Sequence, residues 1–220
     1  MGQKIRPDSY RTGITKGWNS RWFPKKNFKE ILEEDVLIRK IIKQKIKLAG
    51  IDKIEIEKNN NNYRIFIKVA KPGLVIGRGG KGVDELRKSI EEALVKLFKE
   101  RKVKPDFSIS LNIEELRRND VSATFIAQSI AWDLEKRMPF RKTIKKYLES
   151  VMQNKEAEGV KIKLSGRLDG SEIARREWLA KGKLPLQTLR ANIDYGEGTA
   201  FCTYGTVGIK VWIYKGEVTL

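Results

Sequence analysis

The sequence predicts an α+β protein of two domains, and three observations predict it. Apolar residues switch along the chain between helical spacing and strict alternation, and both periods occur in each half. With 220 residues, 40% of them hydrophobic, there is enough chain for two modest cores. A short polar and charged stretch, 114–119, divides the halves. It leaves a basic N-terminal arm over 1–16, a first domain over 17–113 and a second over 120–220.

The opening residues carry Gly, Pro, Arg and two tryptophans with neither period. Trp18 and Trp22 have two readings. They anchor an extended arm to a core or to nucleic acid, with Arg6, Arg11, Lys16 and Arg21 on phosphates, or they pack on the protein's own helix. Phe28, Ile31, Leu32, Ile38, Ile41, Ile42 and Ile46 then mark a long amphipathic helix closing near Gly50. Ile54 and Ile56 alternate against Lys53, Glu55 and Glu57 as a strand. Asn59 to Asn62 form a low-complexity turn, since Asn tolerates left-handed backbone. A second strand runs from Tyr63 to Val69, and Pro72 and Gly73 open a short helical piece.

Next comes a glycine-dense basic loop, Leu74 to Val83, with Gly77, Gly79, Gly80 and Gly82 in six positions. A helix follows from about Lys81 to Arg101 on Val83, Leu86, Ile90, Leu94, Leu97 and Phe98. Arg78 and Lys81 add positive charge where that helix presents its free N–H groups, so an anion should dock there. Three phosphate loops compete. Gly77, Gly79 and Gly82 satisfy the letters of the dinucleotide fingerprint, but Ala70 to Ile76 separate them from the strand, and the next strand-like run begins only at Phe107. A Walker loop fails because Gly82 follows Lys81 where Ser or Thr is required. What remains is a KH loop, Gly77-Arg78-Gly79-Gly80 as G-x-x-G, a turn that in KH modules clamps nucleotides by their backbone. A bare glycine turn is the bland alternative. A third strand on Phe107, Ile109, Leu111 and Ile113 completes the order αββααβ, the type II KH arrangement, which is more specific than the loop alone.

In the second half Asp120 is placed to cap a helix whose apolar face is Val121, Phe125, Ile126, Ile130 and Leu134. Pro139 ends it, and a second helix runs from Phe140 to about Gln153. At about 100° per residue, Phe140, Ile144, Leu148 and Val151 share one side, and Arg141, Lys142, Lys145 and Lys146 gather nearly opposite. A charge run on a helix is usually a solvated face. Four cations without an acid in the first two turns repel one another and suit the helix N-terminus badly, which favours phosphate contact. Four strands follow: Val160 to Leu164, Ile173 to Lys181, Leu186 to Asp194 and Val207 to Ile213, punctuated by glycines that include Gly196 and Gly198. Two helices on a four-stranded sheet make a second α+β domain, basic through Arg167, Arg175, Arg176 and Arg190.

Composition narrows the function. A net charge of +18 points to a polyanion, with nucleic acid ahead of a membrane surface. No apolar run is long enough to span a bilayer, and Met1 to Lys4 begin no signal peptide. The chain has no histidine and a single cysteine, Cys202. That removes the commonest general base, the commonest metal ligand and any internal disulfide, so neither an enzyme nor a metal or other cofactor is expected. A reducing compartment fits.

With these residues laid out, the whole chain resembles the family of small-subunit ribosomal protein number three, bacterial and organellar type. The resemblance rests on Met1 to Lys4 with Pro7, Arg11, Gly13, Trp18, Ser20 and Trp22, and on the loop Val75 to Gly80. It is most specific in Ser165 to Leu168, Glu172 to Arg175, Glu177-Trp178, Pro185 to Ala191, Tyr204-Gly205 and Lys210 to Gly216. Asp169 departs from the pattern, where a small residue is expected. The resemblance implies a structural role in the small ribosomal subunit, in the cytoplasm or an organelle, on rRNA in the subunit head and beside ribosomal proteins two, ten and fourteen. It further implies that the C-terminal domain meets mRNA where it enters, with proteins four and five, and helps to open its secondary structure through Arg141, Lys142 and Lys145. The residues expected on RNA are Gly77, Arg78, Gly79, Gly80, Lys81, Arg6, Arg11, Arg167, Arg175, Arg176 and Arg190. A free KH-domain RNA chaperone or ribosome-assembly factor is the alternative.

Overall fold

A computed structural model describes residues 4–23, 27–59, 61–102, 107–116 and 121–218. The chain divides into two compact units. One is Trp18–Leu116, and the other joins Met1–Gly17 to Arg117–Leu220. The arm, with the short helix α1 (Pro7–Arg11), therefore belongs to the C-terminal unit and does not stand apart as a segment of its own.

The first unit runs β1 (Ser20–Arg21), α2 (Phe28–Lys45), β2 (Ile51–Asn59), β3 (Asn62–Val69), α3 (Pro72–Ile76), α4 (Lys81–Glu100) and β4 (Ser108–Glu115). Its sheet has the order β1-β2-β3-β4, with β2 and β3 antiparallel and the outer pairs parallel. A parallel neighbour requires a crossover, and α3 and α4 supply it between β3 and β4. Ile54, Ile56, Ile65, Ile67 and Val69 bury one sheet face against Ile38 and Ile42 of α2 and Leu86, Ile90 and Leu94 of α4. This is the predicted type II KH order. Strand β4 continues through Glu114 and Glu115, opposite Lys68 and Val69. The linker expected over 114–119 thus begins too early, and its remaining residues up to Leu116 are backbone-bonded to β3 through Leu116 N–H and the Val69 carbonyl at 2.8 Å; 117–119 lie outside the described residues.

Two buried acids fix α2. Glu34 accepts from the Tyr63 hydroxyl at 2.7 Å and from Arg101 at 2.8 Å, and also pairs with Lys58. Asp35 accepts from Arg39 at 2.8 Å, while Arg39 also donates to the Ile54 carbonyl at 2.7 Å. Burying carboxylates is tolerable only with such partners, so these cations serve the fold. Burial, then the bond to Glu34, pushes the Tyr63 hydroxyl well above its ordinary pKa. Trp22 packs against Phe28 of α2, with ring centroids 5.4 Å apart and the planes tilted by 55°, and donates to Asp35. It packs on the protein's own helix, whereas Trp18 is 69% exposed.

The second unit runs α5 (Ala123–Glu135), α6 (Phe140–Met152), β5 (Gly159–Gly166), β6 (Arg175–Gly182), β7 (Ala191–Cys202) and β8 (Gly205–Glu217). Its strands lie in the order β6-β5-β8-β7, every pair antiparallel. Val160, Ile162, Leu164, Ile209, Val211 and Ile213 meet Ile126, Ile130, Ile144 and Leu148 in one core beneath the two helices. Ser122 caps α5, accepting from Phe125 N–H at 3.2 Å; Asp120, the expected cap, lies outside the described residues.

Two expectations for β7 are corrected. The strand begins at Ala191, not Leu186, because Leu184 and Leu186 leave the sheet to cover a small cluster of Ala191, Ile193, Tyr214 and Trp212. Gly196 and Gly198 are not punctuation but lie within the strand, under α5. A Cβ on Gly196 would fall 2.3 Å from the Ala123 carbonyl oxygen, and one on Gly198 2.9 Å from that of Ala127. These glycines exist to let a helix touch a strand.

Candidate nucleic-acid interface

The glycine loop is built by two short contacts. Helix α3 starts on Pro72 and buries Val75, then stops where Gly77 takes φ 67°. After the 3₁₀ turn Arg78–Gly80, α4 begins on Gly80 in left-handed backbone. Gly82 lets α4 cross α3 at backbone distance, since a Cβ there would sit 2.3 Å from the Val75 carbonyl oxygen. Gly77, Arg78, Gly79 and Lys81 are exposed and Gly80 half-buried. Among the described residues Arg78 and Lys81 make no ion pair, and the first turn of α4 holds one acid, Asp84. Two solvated cations beside free helix N–H groups can hold an anion.

Helix α6 buries Phe140, Ile144, Leu148 and Val151, as its spacing predicts, and turns Arg141, Lys142 and Lys145 outward. Lys142 and Lys145 have no ion partner among the described residues. Arg141 lies 3.5 Å from Glu177 of β6, with 73% of its side chain exposed, and Arg175 lies 3.4 Å from the same carboxylate. Both guanidinium groups also sit beside the Phe140 ring, at 5.6 and 5.8 Å. The fold therefore brings Arg175 to the cationic end of α6. Lys146 is drawn aside, 3.4 Å from Asp133 of α5. Burial, then the bond it donates to Asp133, pushes the neighbouring Tyr147 hydroxyl up to about 12.

Pro139 precedes α6 and offers no side-chain cap. Asp169 supplies one from 29 residues downstream, accepting from Phe140 N–H at 3.3 Å. Its carboxylate meets the positive end of the helix exactly where the cations are least welcome. Residue spacing gives no hint of this, because the cap comes from another element.

The remaining arginines separate. Arg11 is fully buried, and its guanidinium donates to the carbonyls of Ala191 (2.8 Å), Leu186 (2.9 Å), Thr188 (2.7 Å) and Pro7 (3.2 Å). The expectation that it binds phosphate fails, because no donor faces solvent. Burial pulls its pKa down, with Tyr10 and Asp8 opposing. Arg167 donates to the carbonyls of Ser171 and Tyr204 at 2.9 and 3.2 Å, and so ties two turns together. Arg6 lies 5.3 Å over the Tyr195 ring, near Asp8. Arg176 and Arg190 are exposed and unpaired among the described residues. Arg21, beside Glu55 and Glu57 at 3.3 and 3.2 Å, and Lys16, beside Asp8 at 2.6 Å, are paired within their own units.

Comparison with known proteins places this arrangement. A model of the KH domain matches residues 37–121, and a model of "Ribosomal protein S3, C-terminal domain" matches residues 130–213. Small ribosomal subunit protein uS3 of Desulfitobacterium hafniense is 46% identical over 99% of this chain and 94% of its own length. The proteins of the same name from Desulforamulus reducens and Koribacter versatilis are 47% and 41% identical over 99% of this chain, and over 94% and 92% of their own lengths. At that identity over nearly the full length, and with both domain models matched in order, this chain belongs to the family of small ribosomal subunit protein uS3.

Proposed function

We propose that the protein is a structural constituent of the small ribosomal subunit. It binds rRNA in the subunit head beside ribosomal proteins two, ten and fourteen, and its C-terminal domain meets incoming mRNA beside proteins four and five. Its relatives bear the name of a small-subunit protein. The observation that carries the mRNA contact is the outward face of α6, where Lys142 and Lys145 are unpaired among the described residues and the ion pair of Arg141 is with Glu177, its own side chain largely exposed. Exposed ion pairs are worth about 0–1 kcal/mol, so Arg141 can exchange Glu177 for a phosphate at little cost. Cations that hold separated strands by their phosphates bias a duplex toward melting. Translocation supplies the work, and the contribution is mechanical, without a catalytic group.

Sedimentation tests the reading. The tagged protein should co-migrate with mature small subunits at moderate salt. Confinement to light fractions would sink the ribosomal assignment and favour a free RNA chaperone.

A further inference from the structure

The sheet of the second unit has two faces, and the helices cover one. The other brings together residues to which the reading above gives no role, among them Trp178 of β6 and Lys210 and Trp212 of β8. Strand register sets them in rows. Trp178, Lys163, Lys210 and Glu197 lie side by side across β6, β5, β8 and β7. The next row of that face holds Ala180, Lys161, Trp212 and Tyr195. Arg176 lies beyond Trp178, opposite Ser165.

Trp178 is 57% exposed, on a strand with little buried surface. The ammonium of Lys161 sits 4.5 Å from its ring centroid and 5.9 Å from that of Trp212. Trp212 is backed by the Tyr195 ring at 5.4 Å, and Arg6 of the arm closes that end at 5.3 Å from Tyr195. Lys163 and Lys210 stand directly opposite each other, an arrangement that destabilises a sheet. Glu197 answers Lys210 at 3.4 Å, but it also accepts from the Tyr195 hydroxyl, the bond that chiefly lowers its pKa. Among the described residues of these rows, Lys161, Lys163 and Lys210, with Arg176 beyond them, thus face one carboxylate, Glu197, while Arg6 is paired with Asp8 at 3.8 Å. A solvated aromatic ring framed by cations on an open strand face is what unpaired nucleic acid binds by stacking and phosphate contact. An apolar protein partner would leave these charges buried and unpaired.

We propose that this face is a stacking platform for an unpaired RNA segment, with one base on Trp178 and its flanking phosphates on Lys163, Lys210 and Arg176. Only the identity of the RNA as ribosomal rests on the function proposed above.

The full chain is titrated by fluorescence anisotropy with a labelled ten-nucleotide single-stranded RNA and with a blunt duplex of the same length. Trp178→Ala should weaken single-strand binding at least about fivefold and duplex binding less than about twofold, and Trp178→Phe should restore most of the loss. Should Trp178→Ala not fold, the exposed pair Arg176→Glu with Lys210→Glu serves in its place and should weaken single-strand binding by at least about tenfold. A 4-thiouridine oligomer should cross-link to residues 176–181. Unchanged single-strand affinity in the folded variants, or cross-links only elsewhere, overturns the platform. So does a Trp178→Ala protein that keeps its RNA affinity but no longer joins small subunits, since a protein would then cover this face. Parent protein that binds through Trp178 yet never co-sediments with small subunits would instead overturn the ribosomal reading and leave the platform standing.

Discussion

The guanidinium of Arg11 donates its Nε proton to the carbonyl of Ala191 at 2.8 Å, joining the arm to the first residue of β7. The same side chain bonds Leu186 and Thr188 in the preceding loop. A single arginine thus replaces the strand hydrogen bonds that this loop lacks.

Arg11→Ala should therefore destabilise the C-terminal unit by about 3 kcal/mol, since it leaves several buried carbonyls without donors. Arg11→Lys should recover less than half of that, because an ammonium lacks the planar fork. The check is thermal unfolding, with limited proteolysis of residues 4–17. An arm that stays protected in Arg11→Ala would show that α1 docks without its arginine.

The close approach of α5 to β7 makes a graded prediction. Gly196→Ala forces a Cβ against the Ala123 carbonyl and should cost more than about 3 kcal/mol, with Gly198→Ala costing less. Gly73→Ala, in open space within α3 at ordinary φ, should be neutral or mildly stabilising. Equal midpoints for the three variants would mean that α5 moves freely off the sheet.

These two sites also show how far the sequence can be read. The face of α6 was legible because one 100° rotation rule decides which residues point outward. The KH loop was legible because spacing excluded its look-alikes and strand order supported what remained. Arg11 was misleading. In a chain of charge +18 an arginine in a Gly- and Pro-containing arm looks like a phosphate ligand, and the carbonyls of Leu186, Thr188 and Ala191 that bury it lie 175 to 180 positions away. Gly196 and Gly198 misled for the same reason, since a glycine that admits a helix and one that makes a turn are the same letter. Asp169 looked like no more than a departure from the family pattern and is the cap of α6. What local periodicity could not supply was, each time, a contact between distant elements.

Asp169 tests that last point. Asp169→Ala should destabilise α6 by about 1 kcal/mol through loss of the cap, and its φ of 52° adds strain for a residue with a Cβ. Asp169→Gly relieves the strain and loses only the cap, so it should be the milder change. If unfolding midpoints rank the two the other way, the carboxylate does not act as a cap.

For the glycine loop, Arg78→Ala and Lys81→Ala should each lower the slope of log affinity against log salt for single-stranded RNA by about 0.7, the share of one phosphate contact. Gly79→Asp should abolish loop binding through charge and left-handed strain, without unfolding the domain, because a Cβ there meets nothing within 4 Å. Slopes that match the parent protein would place Arg78 and Lys81 against solvent or protein.

The most discriminating prediction concerns α6. Replacing Arg141, Lys142 and Lys145 together by Ala removes three outward cations and leaves the buried face of Phe140, Ile144, Leu148 and Val151 intact, so the unfolding midpoint should move by less than about 1 kcal/mol in equivalent stability. Ribosomes carrying the variant should slow severalfold on mRNA with a stable hairpin ahead of the decoding site, and little on unstructured mRNA. Raising salt should slow the parent toward the variant on the hairpin template, since screening weakens phosphate contacts. Lys146→Ala should have the smallest effect of the four cations, because Asp133 already holds that ammonium away from the cluster. Equal slowing on both templates would refute an unwinding role and leave α6 as a general RNA contact.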